Sequence, residues 1–238
     1  MTLFHNKRWG LIKNIALILA SGTGSRCNLG IPKQFAKINN KTILEYTIDA
    51  FETHKLIDEI YLVTSKEFLE KVKELTKNHK KVQKVIQGGE TRKDSSYNGI
   101  SAIKDSEANI LIHDGVRPLI SKEIISNCIK ELEEKQAVCV AIDSTDTIYE
   151  INDNNTIKTI PQRKYLKRAQ TPQCFKLSLI KKAHELANDD SNCQVTDDCG
   201  LIQHYNLSDI YLTQGDENNI KITYKEDLDF VKKQLKLL

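Results

Sequence analysis

A glycine-rich segment with basic neighbours is the first part of the sequence whose residue types could do chemistry. It comprises Ala20, Ser21, Gly22, Thr23, Gly24, Ser25 and Arg26, with Lys33 shortly after. Glycines after a buried strand let backbone N–H groups approach phosphate oxygens, and Arg26 and Lys33 can neutralise phosphate charge. No G-K-[ST] follows, and Cys27 occupies the place of the third glycine of a dinucleotide fingerprint. The pattern favours a polyphosphate site of another kind, with an ordinary strand-to-helix turn as the alternative.

A carboxylate at the expected end of a strand is the second candidate. Asp114 directly follows the apolar run 109–113. Mg²⁺ typically uses one or two carboxylates together with substrate phosphates, so Asp114 can be a metal ligand, and its alternative role is to cap the following turn. We expect His113, inside the apolar run, to be a packed core residue. The remaining histidines lack the spacing of a zinc site.

Polar residues in the second half of the chain are weaker candidates. We expect them in loops beyond strands, although each could be a solvated surface group: Arg163, Arg168, 171–173, 196–198 and 218–221. No Ser-His-Asp or Cys-His spacing indicates a covalent nucleophile. An enzyme built on these residues would therefore act by positioning substrates and neutralising charge.

Alternating strand and helix patterns must position these side chains. The predicted strands are 15–20, 60–63, 82–86, 109–113 and 137–142, and the predicted helices are 42–54, 68–75, 95–104 and 123–135. This alternation predicts an α/β fold with a mainly parallel sheet, whose ligands gather at the carboxyl ends of the strands. Residues 147–168 alternate polar and apolar types around four turn-forming residues, which predicts a hairpin arm.

Composition limits the class of protein. The chain has 238 residues, 39% of them hydrophobic, with 35 Lys and Arg against 32 Asp and Glu. This predicts one folded domain over 1–238 and argues against nucleic-acid coating, which usually needs a strong basic excess. No apolar run approaches the ~20 residues of a membrane helix, and no secretory signal is evident, so we expect a cytoplasmic protein. Six Cys without a C-x-x-C pair indicate free thiols.

Eight short motifs, in order, carry a family resemblance that runs from residue 15 to about 228. They are LASGTGSR with PKQF, GGETRKDSS, HDGVRP, DTI, IPQR, AQTPQ, TDD and NIKIT. Together they resemble the cytidylyltransferases that include 2-C-methyl-D-erythritol 4-phosphate cytidylyltransferase and ribitol-5-phosphate cytidylyltransferase. The resemblance implies a Rossmann-like nucleotidyltransferase domain with a protruding β-arm that helps form a homodimer. It also implies CMP transfer from CTP to a sugar-alcohol phosphate, with release of pyrophosphate and use of Mg²⁺.

The same resemblance implies a role for each matching residue. The loop Ala20 to Arg26 would hold the CTP phosphates, with Arg26, Lys33 and Lys221 stabilising charge on the α-phosphate. Asp114 would ligand Mg²⁺. The cytosine side would be formed by Gly89, Glu90 and Ser95, and the acceptor side by Arg117, Thr147, Arg163, Thr171 and Thr196. Residues 1–13 lie outside the resemblance and receive no role.

The acceptor is the least determined part of this interpretation. Val116 before Arg117, the GTGSR and PKQF stretches and the IPQR segment resemble the ribitol branch, whereas AQT and the Asp197-Asp198 pair resemble the erythritol branch. We favour D-ribitol 5-phosphate, with methylerythritol 4-phosphate as the alternative. A catalytically silent nucleotide-binding relative is the alternative of another class, and an NAD-dependent dehydrogenase is disfavoured by Cys27.

Overall fold

The apolar run 15–20 lies in an interior strand of a seven-stranded sheet. The protein is described here by a computed structural model that covers residues 12–22, 30–105 and 107–236. Its strands are β1 Lys13–Ala20, β2 Lys37–Ile38, β3 Lys41–Thr42, β4 Glu59–Thr64, β5 Val82–Gln87, β6 Ala108–Asp114, β7 Ala137–Asp143, β8 Glu150–Ile151, β9 Ile157–Thr159, β10 Lys167–Lys176 and β11 Tyr211–Gln214. Its helices are α1 Ile43–Glu52, α2 Leu69–Thr76, α3 Arg92–Ser101, α4 Lys122–Glu131, α5 Leu177–Asn188, α6 Asp198–His204 and α7 Lys225–Gln234.

The main sheet has the strand order β11-β7-β10-β6-β1-β4-β5. Strand β1 pairs in parallel with β4 and β6, β4 pairs in parallel with β5, and β11 pairs in parallel with β7. Only β10 runs against its neighbours in this sheet. The predicted α/β fold with a mainly parallel sheet is therefore confirmed, and the carboxyl ends of β1, β4, β5 and β6 meet at one edge.

Both faces of the sheet are covered, which explains why β1 is apolar from Ile15 to Ala20. Ala16 and Ile18 pack into a cluster with α1 and α4 residues such as Leu44 and Ile125. The alternate residues of β1, including Leu17, pack into a second cluster with residues of α3 and α5. Side chains of a strand alternate between its faces, so a strand buried on both sides must be apolar at every position.

Several polar residues lie inside a strand, which corrects the expectation of loops. Arg168 and the segment 171–173 belong to β10, and the register of β10 against β7 shifts between Ala169 and Gln173. Such a bulge tolerates Pro172, which lacks the N–H that a regular ladder needs. The predicted arm is also shorter at its end than 147–168, because Lys167 and Arg168 already pair with β7. Asp114 is the last residue of β6 instead of the first residue after it.

Within 147–168 the chain forms a hairpin of its own. Strands β8 and β9 are antiparallel and form a separate two-stranded sheet. Asn155 takes a positive φ of 60° in the turn, a conformation that Asn tolerates better than most residues. Large apolar side chains are exposed along this segment: Ile148, Tyr149, Ile151, Ile157, Ile160 and Tyr165. This concentration marks the hairpin as an apolar surface.

The cysteines and helices of the described residues bear on two further expectations. Cys128, Cys139, Cys174, Cys193 and Cys199 are free thiols, as predicted, and all but Cys199 are buried. Cys27 lies outside the described residues. No helix in the described part of the chain is long and apolar enough to cross a membrane.

Candidate active site

A cleft of about 370 Å³ opens at the carboxyl ends of β1, β5 and β6. Its lining contains eight of the residues predicted from the sequence: Ala20, Ser21, Gly22, Lys33, Gly89, Glu90, Asp114 and Lys221. Leu19, Gln34, Thr91, Arg92 and Val116 complete it. The sheet thus brings together the segments 19–22, 89–92 and 114–116, which are far apart in the sequence. Thr23, Gly24, Ser25 and Arg26 lie outside the described residues.

Hydrogen bonds of the Ser95 hydroxyl link the segment 88–91 to the end of β1. Ser21 Oγ lies 2.8 Å from Ser95 Oγ, and the Gly89 N–H donates to Ser95 Oγ over 3.2 Å. A Cβ on Gly88 would lie 2.7 Å from Ser95 Oγ, so only glycine allows this approach. Ser95 is 1% exposed and supports the cleft from beneath instead of lining it. Its predicted contact with cytosine stays a prediction.

Helix α3 is set close against the sheet, which fixes its first residues at the cleft. A Cβ on Gly99 would lie 2.6 Å from Leu17 Cδ1 and 2.8 Å from Val63 Cγ2. The helix begins at a capping box, in which Thr91 accepts from the Asp94 N–H and Asp94 accepts from the Thr91 N–H. Both features hold the start of α3 beside Asp114.

Lys33 begins a short 3-10 turn that is tied to the end of β1. The next residue, Gln34, is 2% exposed, and its Nε2 donates to the carbonyl oxygens of Ala20 and Gly22, each over 2.9 Å. Lys33 itself is 8% exposed and lines the cleft. The turn therefore places a buried lysine at the side of the cleft that the end of β1 forms.

Asp114 is surrounded by cationic groups. Its Oδ2 lies 3.0 Å from Lys221 Nζ and 3.5 Å from Arg117 Nε, and its Oδ1 lies 3.8 Å from Arg92 Nε. Burial alone would raise the pKa of Asp114, but Lys221, Arg92 and Arg117 outweigh burial and hold the pKa well below its usual range. The carboxylate is therefore ionised at neutral pH and accepts contacts from three directions.

Beneath Asp114, Thr171 and His113 form a buried chain of hydrogen bonds. The Asp114 N–H donates to Thr171 Oγ1 over 3.1 Å, and Thr171 Oγ1 lies 3.0 Å from His113 Nδ1. His113 Nε2 lies 3.1 Å from the Arg117 carbonyl, which can only accept, so Nε2 carries the proton and Nδ1 accepts from the Thr171 hydroxyl. Burial lowers the pKa of His113 to about 4, which keeps the ring neutral. The prediction of a packed core histidine is confirmed.

Arg117 and Asn219 connect Asp114 to the loop that carries Lys221. Arg117 Nη1 donates to the Asn219 carbonyl over 2.7 Å, and Asn219 Nδ2 donates to the Thr171 carbonyl over 2.9 Å. Arg117 is 9% exposed and Thr171 is 5% exposed, so both predicted acceptor contacts lie behind the cleft wall with internal hydrogen bonds. Their arrangement supports Asp114 and Lys221, and their contact with an acceptor stays a prediction.

The remaining predicted acceptor residues lie away from the cleft lining. Thr196 is exposed and lines a second pocket of about 490 Å³, which shares Thr91 and Arg92 with the cleft. Thr147 and Arg163 are exposed near the hairpin, and Arg163 Nη1 donates to the Thr145 carbonyl over 2.8 Å. Neither is among the described residues that line the cleft of this chain.

Sequence reasoning missed two residues that shape the cleft. Gln34 lies in the PKQF motif and Arg92 lies in GGETRKDSS. Neither motif predicts which residue the polar side chain binds. Arg92 Nη1 is bound to Asp198 Oδ2 over 2.6 Å, although 106 positions separate the two residues. No local signal marked Arg92, because the helix was predicted to begin at residue 95, whereas α3 begins at Arg92.

The chain matches known proteins over most of its length. A family model described as IspD, 2-C-methyl-D-erythritol 4-phosphate cytidylyltransferase, matches residues 14–236. A Clostridium tetani protein named 2-C-methyl-D-erythritol 4-phosphate cytidylyltransferase is 41% identical over 230 residues, which are 96% of this chain and 92% of that protein. The solved structure of 4-diphosphocytidyl-2C-methyl-D-erythritol synthase from Anaerococcus prevotii matches with a TM-score of 0.84 and 32% identity, over 94% of this chain and 99% of that one.

A relative from Haemophilus influenzae carries a different name, bifunctional ribulose 5-phosphate reductase/CDP-ribitol pyrophosphorylase Bcs1. It is 41% identical over 222 residues, which are 91% of this chain and 47% of that protein, so the chain spans about half of its length. The resemblance found in the sequence is thereby confirmed, and the relatives share cytidylyl chemistry while differing in the acceptor. The chain belongs to the 2-C-methyl-D-erythritol 4-phosphate cytidylyltransferase family and is a CTP-dependent nucleotidyltransferase that acts on a sugar-alcohol phosphate.

Proposed function

We propose that this enzyme transfers CMP from CTP to D-ribitol 5-phosphate, giving CDP-ribitol and pyrophosphate. The observation that carries the transfer is the convergence of Lys33, Lys221 and Asp114 on one cleft at the carboxyl edge of the sheet. The choice of ribitol rests on Val116, which lines that cleft beside Asp114, and on the Haemophilus influenzae relative named for CDP-ribitol.

The chemistry requires no strong base, because the acceptor phosphate is already an anionic nucleophile. One of its oxygens forms a bond to the α-phosphorus of CTP, and the bond from that phosphorus to the bridging oxygen of the β-phosphate breaks. The electron pair leaves with pyrophosphate. Lys33 and Lys221 supply positive charge where the pentacoordinate phosphorus gathers negative charge, and Arg26 is expected to add to it. Asp114 and Arg117 hold the Lys221 side of this arrangement.

Asp114 also suits Mg²⁺, with the remaining ligands supplied by the CTP phosphates. No group of three or more acidic, His or Cys side chains in the described ranges could hold a metal by itself. A single carboxylate in a polyphosphate cleft fits the way Mg²⁺ is usually bound, with few protein ligands and several from water and substrate. When bound, the ion would neutralise phosphate charge and orient the phosphates for in-line displacement.

Methylerythritol 4-phosphate is the second candidate acceptor. The family model and the Clostridium tetani relative both carry that name. Acceptor preference depends on a few polar contacts to hydroxyl groups, and a site that hydrogen-bonds a hydroxyl rejects an analogue lacking it strongly. The two candidates are therefore separable by their kcat/KM values with the same enzyme.

The acceptor assay measures pyrophosphate release with CTP and Mg²⁺, run separately with ribitol 5-phosphate, methylerythritol 4-phosphate and glycerol 3-phosphate. We expect kcat/KM to be at least about tenfold higher with ribitol 5-phosphate than with the other two, a difference of about 1.4 kcal/mol in transition-state binding. Activity with methylerythritol 4-phosphate alone would reverse the choice of acceptor. Release with none of them would support the silent relative.

We also propose that the exposed hairpin mediates a homodimer. Ile151 and Ile157 are more than half exposed in the single chain, as are neighbouring apolar side chains. Burying them against a second copy would remove this apolar surface from water. A dimer also offers a route by which Thr147 and Arg163 reach the cleft of the second copy.

Analytical ultracentrifugation should show a dimer for the parent enzyme and a monomer for Ile151→Asp with Ile157→Asp. A monomeric parent at micromolar concentration would contradict the proposal.

A further inference from the structure

Arg92 lies at the junction of the cleft and the second pocket. Its side chain lines both, and it reaches one carboxylate on each side. Nη1 is 2.6 Å from Asp198 Oδ2, and Nε is 3.8 Å from Asp114 Oδ1. A guanidinium can contact two carboxylates at once because its donors are fixed in a planar fork.

Asp198 is built as an anchor for this arginine. Its side chain is 1% exposed, and its Oδ1 accepts from Ser96 Oγ over 2.6 Å and lies 3.0 Å from His184 Nε2. Its backbone N–H donates to Gln173 Oε1 over 3.1 Å. Burial alone would raise the pKa of Asp198, but Arg92 and His184 hold it well below its usual range. Every oxygen of this buried carboxylate is therefore satisfied, and one of them is committed to Arg92.

The position of Arg92 in its helix supports a role beyond stability. Arg92 is the first residue of α3, where the helix dipole disfavours a cation. The buried ion pair with Asp198 offsets this effect and aims the guanidinium at Asp114. The second pocket also contains Thr196, one of the predicted acceptor residues, only two positions from Asp198.

We propose that Arg92, anchored by Asp198, is a positioning residue. It holds Asp114 at the cleft and fixes the position of the acceptor-side pocket relative to the nucleotide. The inference rests on the proposed function, because it assigns the cleft to CTP and the second pocket to the acceptor. Arg92 would act through Asp114 and Asp198 and would not take part in bond making.

The test compares Arg92→Lys and Asp198→Asn with the parent enzyme. Lysine keeps the charge but is a point donor that can satisfy one of the two carboxylates, so charge alone does not restore the bridge. Lys13→Ala is the matched control, because Lys13 bridges Glu59 and Asp105 over 2.7 and 3.2 Å at the opposite end of β1. The readouts are kcat, KM for the acceptor, and CTP affinity and stoichiometry by calorimetry.

We expect both variants to lower kcat by at least about tenfold per CTP-binding site and to raise the KM for the acceptor, with CTP affinity within about threefold of the parent. A purely structural defect would instead lower the CTP stoichiometry and leave the acceptor KM unchanged. Lys13→Ala should change none of these values. If Asp198→Asn does not fold, the Arg92→Lys variant alone tests the positioning role of Arg92.

The inference is overturned if Arg92→Lys keeps kcat and the acceptor KM within twofold of the parent. It is equally overturned if the loss appears only as a lower CTP stoichiometry. An inactive parent enzyme would mark failure of the proposed function itself, whereas unchanged variants of an active parent would mark failure of the Arg92 assignment alone.

Discussion

The buried ring of His113 makes the support beneath Asp114 sensitive to acid. Burial lowers the pKa of His113 to about 4, against an ordinary value of 6.5. In the unfolded chain the ring binds a proton below about pH 6.5, whereas in the folded protein it does so only below about pH 4. Stability rises with pH wherever the unfolded state binds more protons, so the contribution of His113 is present above pH 6.5 and is lost as the pH falls toward 4.

The magnitude follows from the width of that window. Each pH unit inside it changes the free energy of unfolding by about 1.36 kcal/mol, so lowering the pH from 7 to 5 crosses about 1.5 units and costs about 2 kcal/mol. Asp114 and Asp198 do not contribute in this range, because an unfolded aspartate binds its proton only at about pH 4 and the pKa values of both folded carboxyls are lower still. The pKa of His54 is also lowered by burial, but His54 is present in every protein compared.

The perturbation is His113→Gln, measured by urea unfolding at pH 7 and pH 5. The glutamine amide can still donate toward the Arg117 carbonyl but does not titrate, and the Thr171 hydroxyl loses its acceptor. We expect the variant to be less stable at pH 7 by about 1–3 kcal/mol. The parent should lose about 2 kcal/mol more than the variant between pH 7 and pH 5. Equal losses in the two proteins would refute a neutral, buried His113.

Three further substitutions test separate parts of the site. Lys33→Ala should lower kcat by about 10²–10³-fold, which is the effect of losing one oxyanion-type donor. CTP affinity measured by calorimetry should fall far less. A near-normal kcat would show that Lys33 does not stabilise the transition state. Gly99→Ala should cost about 1–3 kcal/mol in urea unfolding, because its Cβ would overlap the buried Leu17 and Val63, whereas Ser101→Ala at the exposed end of the same helix should be close to neutral. Thr171→Val removes the hydroxyl between Asp114 and His113 and should cost about 1–3 kcal/mol at pH 7; unchanged stability would show that this chain of hydrogen bonds is unimportant.

Local sequence patterns predicted the buried strands and the edge of the sheet at which the cleft lies. The predicted strand 15–20 is apolar at every position because both faces of the sheet are covered there, and Asp114 follows a second, mainly apolar run. The carboxyl edge of a parallel sheet then brings Ala20 and Asp114 together without any further information. This is why eight predicted residues line one cleft.

Local sequence patterns did not predict the contacts between distant segments. Strand β10 contains Pro172, which cannot donate to a strand ladder, and the segment is a strand because it pairs with β6 and β7 on either side of a bulge. The hydrogen bond from Thr171 to His113 and the ion pair from Arg92 to Asp198 each join elements far apart in sequence. Such partners follow from the order of strands in the sheet, which alternation of apolar residues does not specify.

The central claim is that an oxygen of the acceptor phosphate attacks the α-phosphorus of CTP. The most direct test uses ribitol 5-phosphate labelled with ¹⁸O in its nonbridging phosphate oxygens, with product analysis by ³¹P NMR and mass spectrometry. We expect CDP-ribitol that retains all of the label, including one labelled oxygen bridging the two phosphorus atoms, and pyrophosphate that contains none. Label in pyrophosphate, or consumption of CTP without formation of CDP-ribitol, would contradict it.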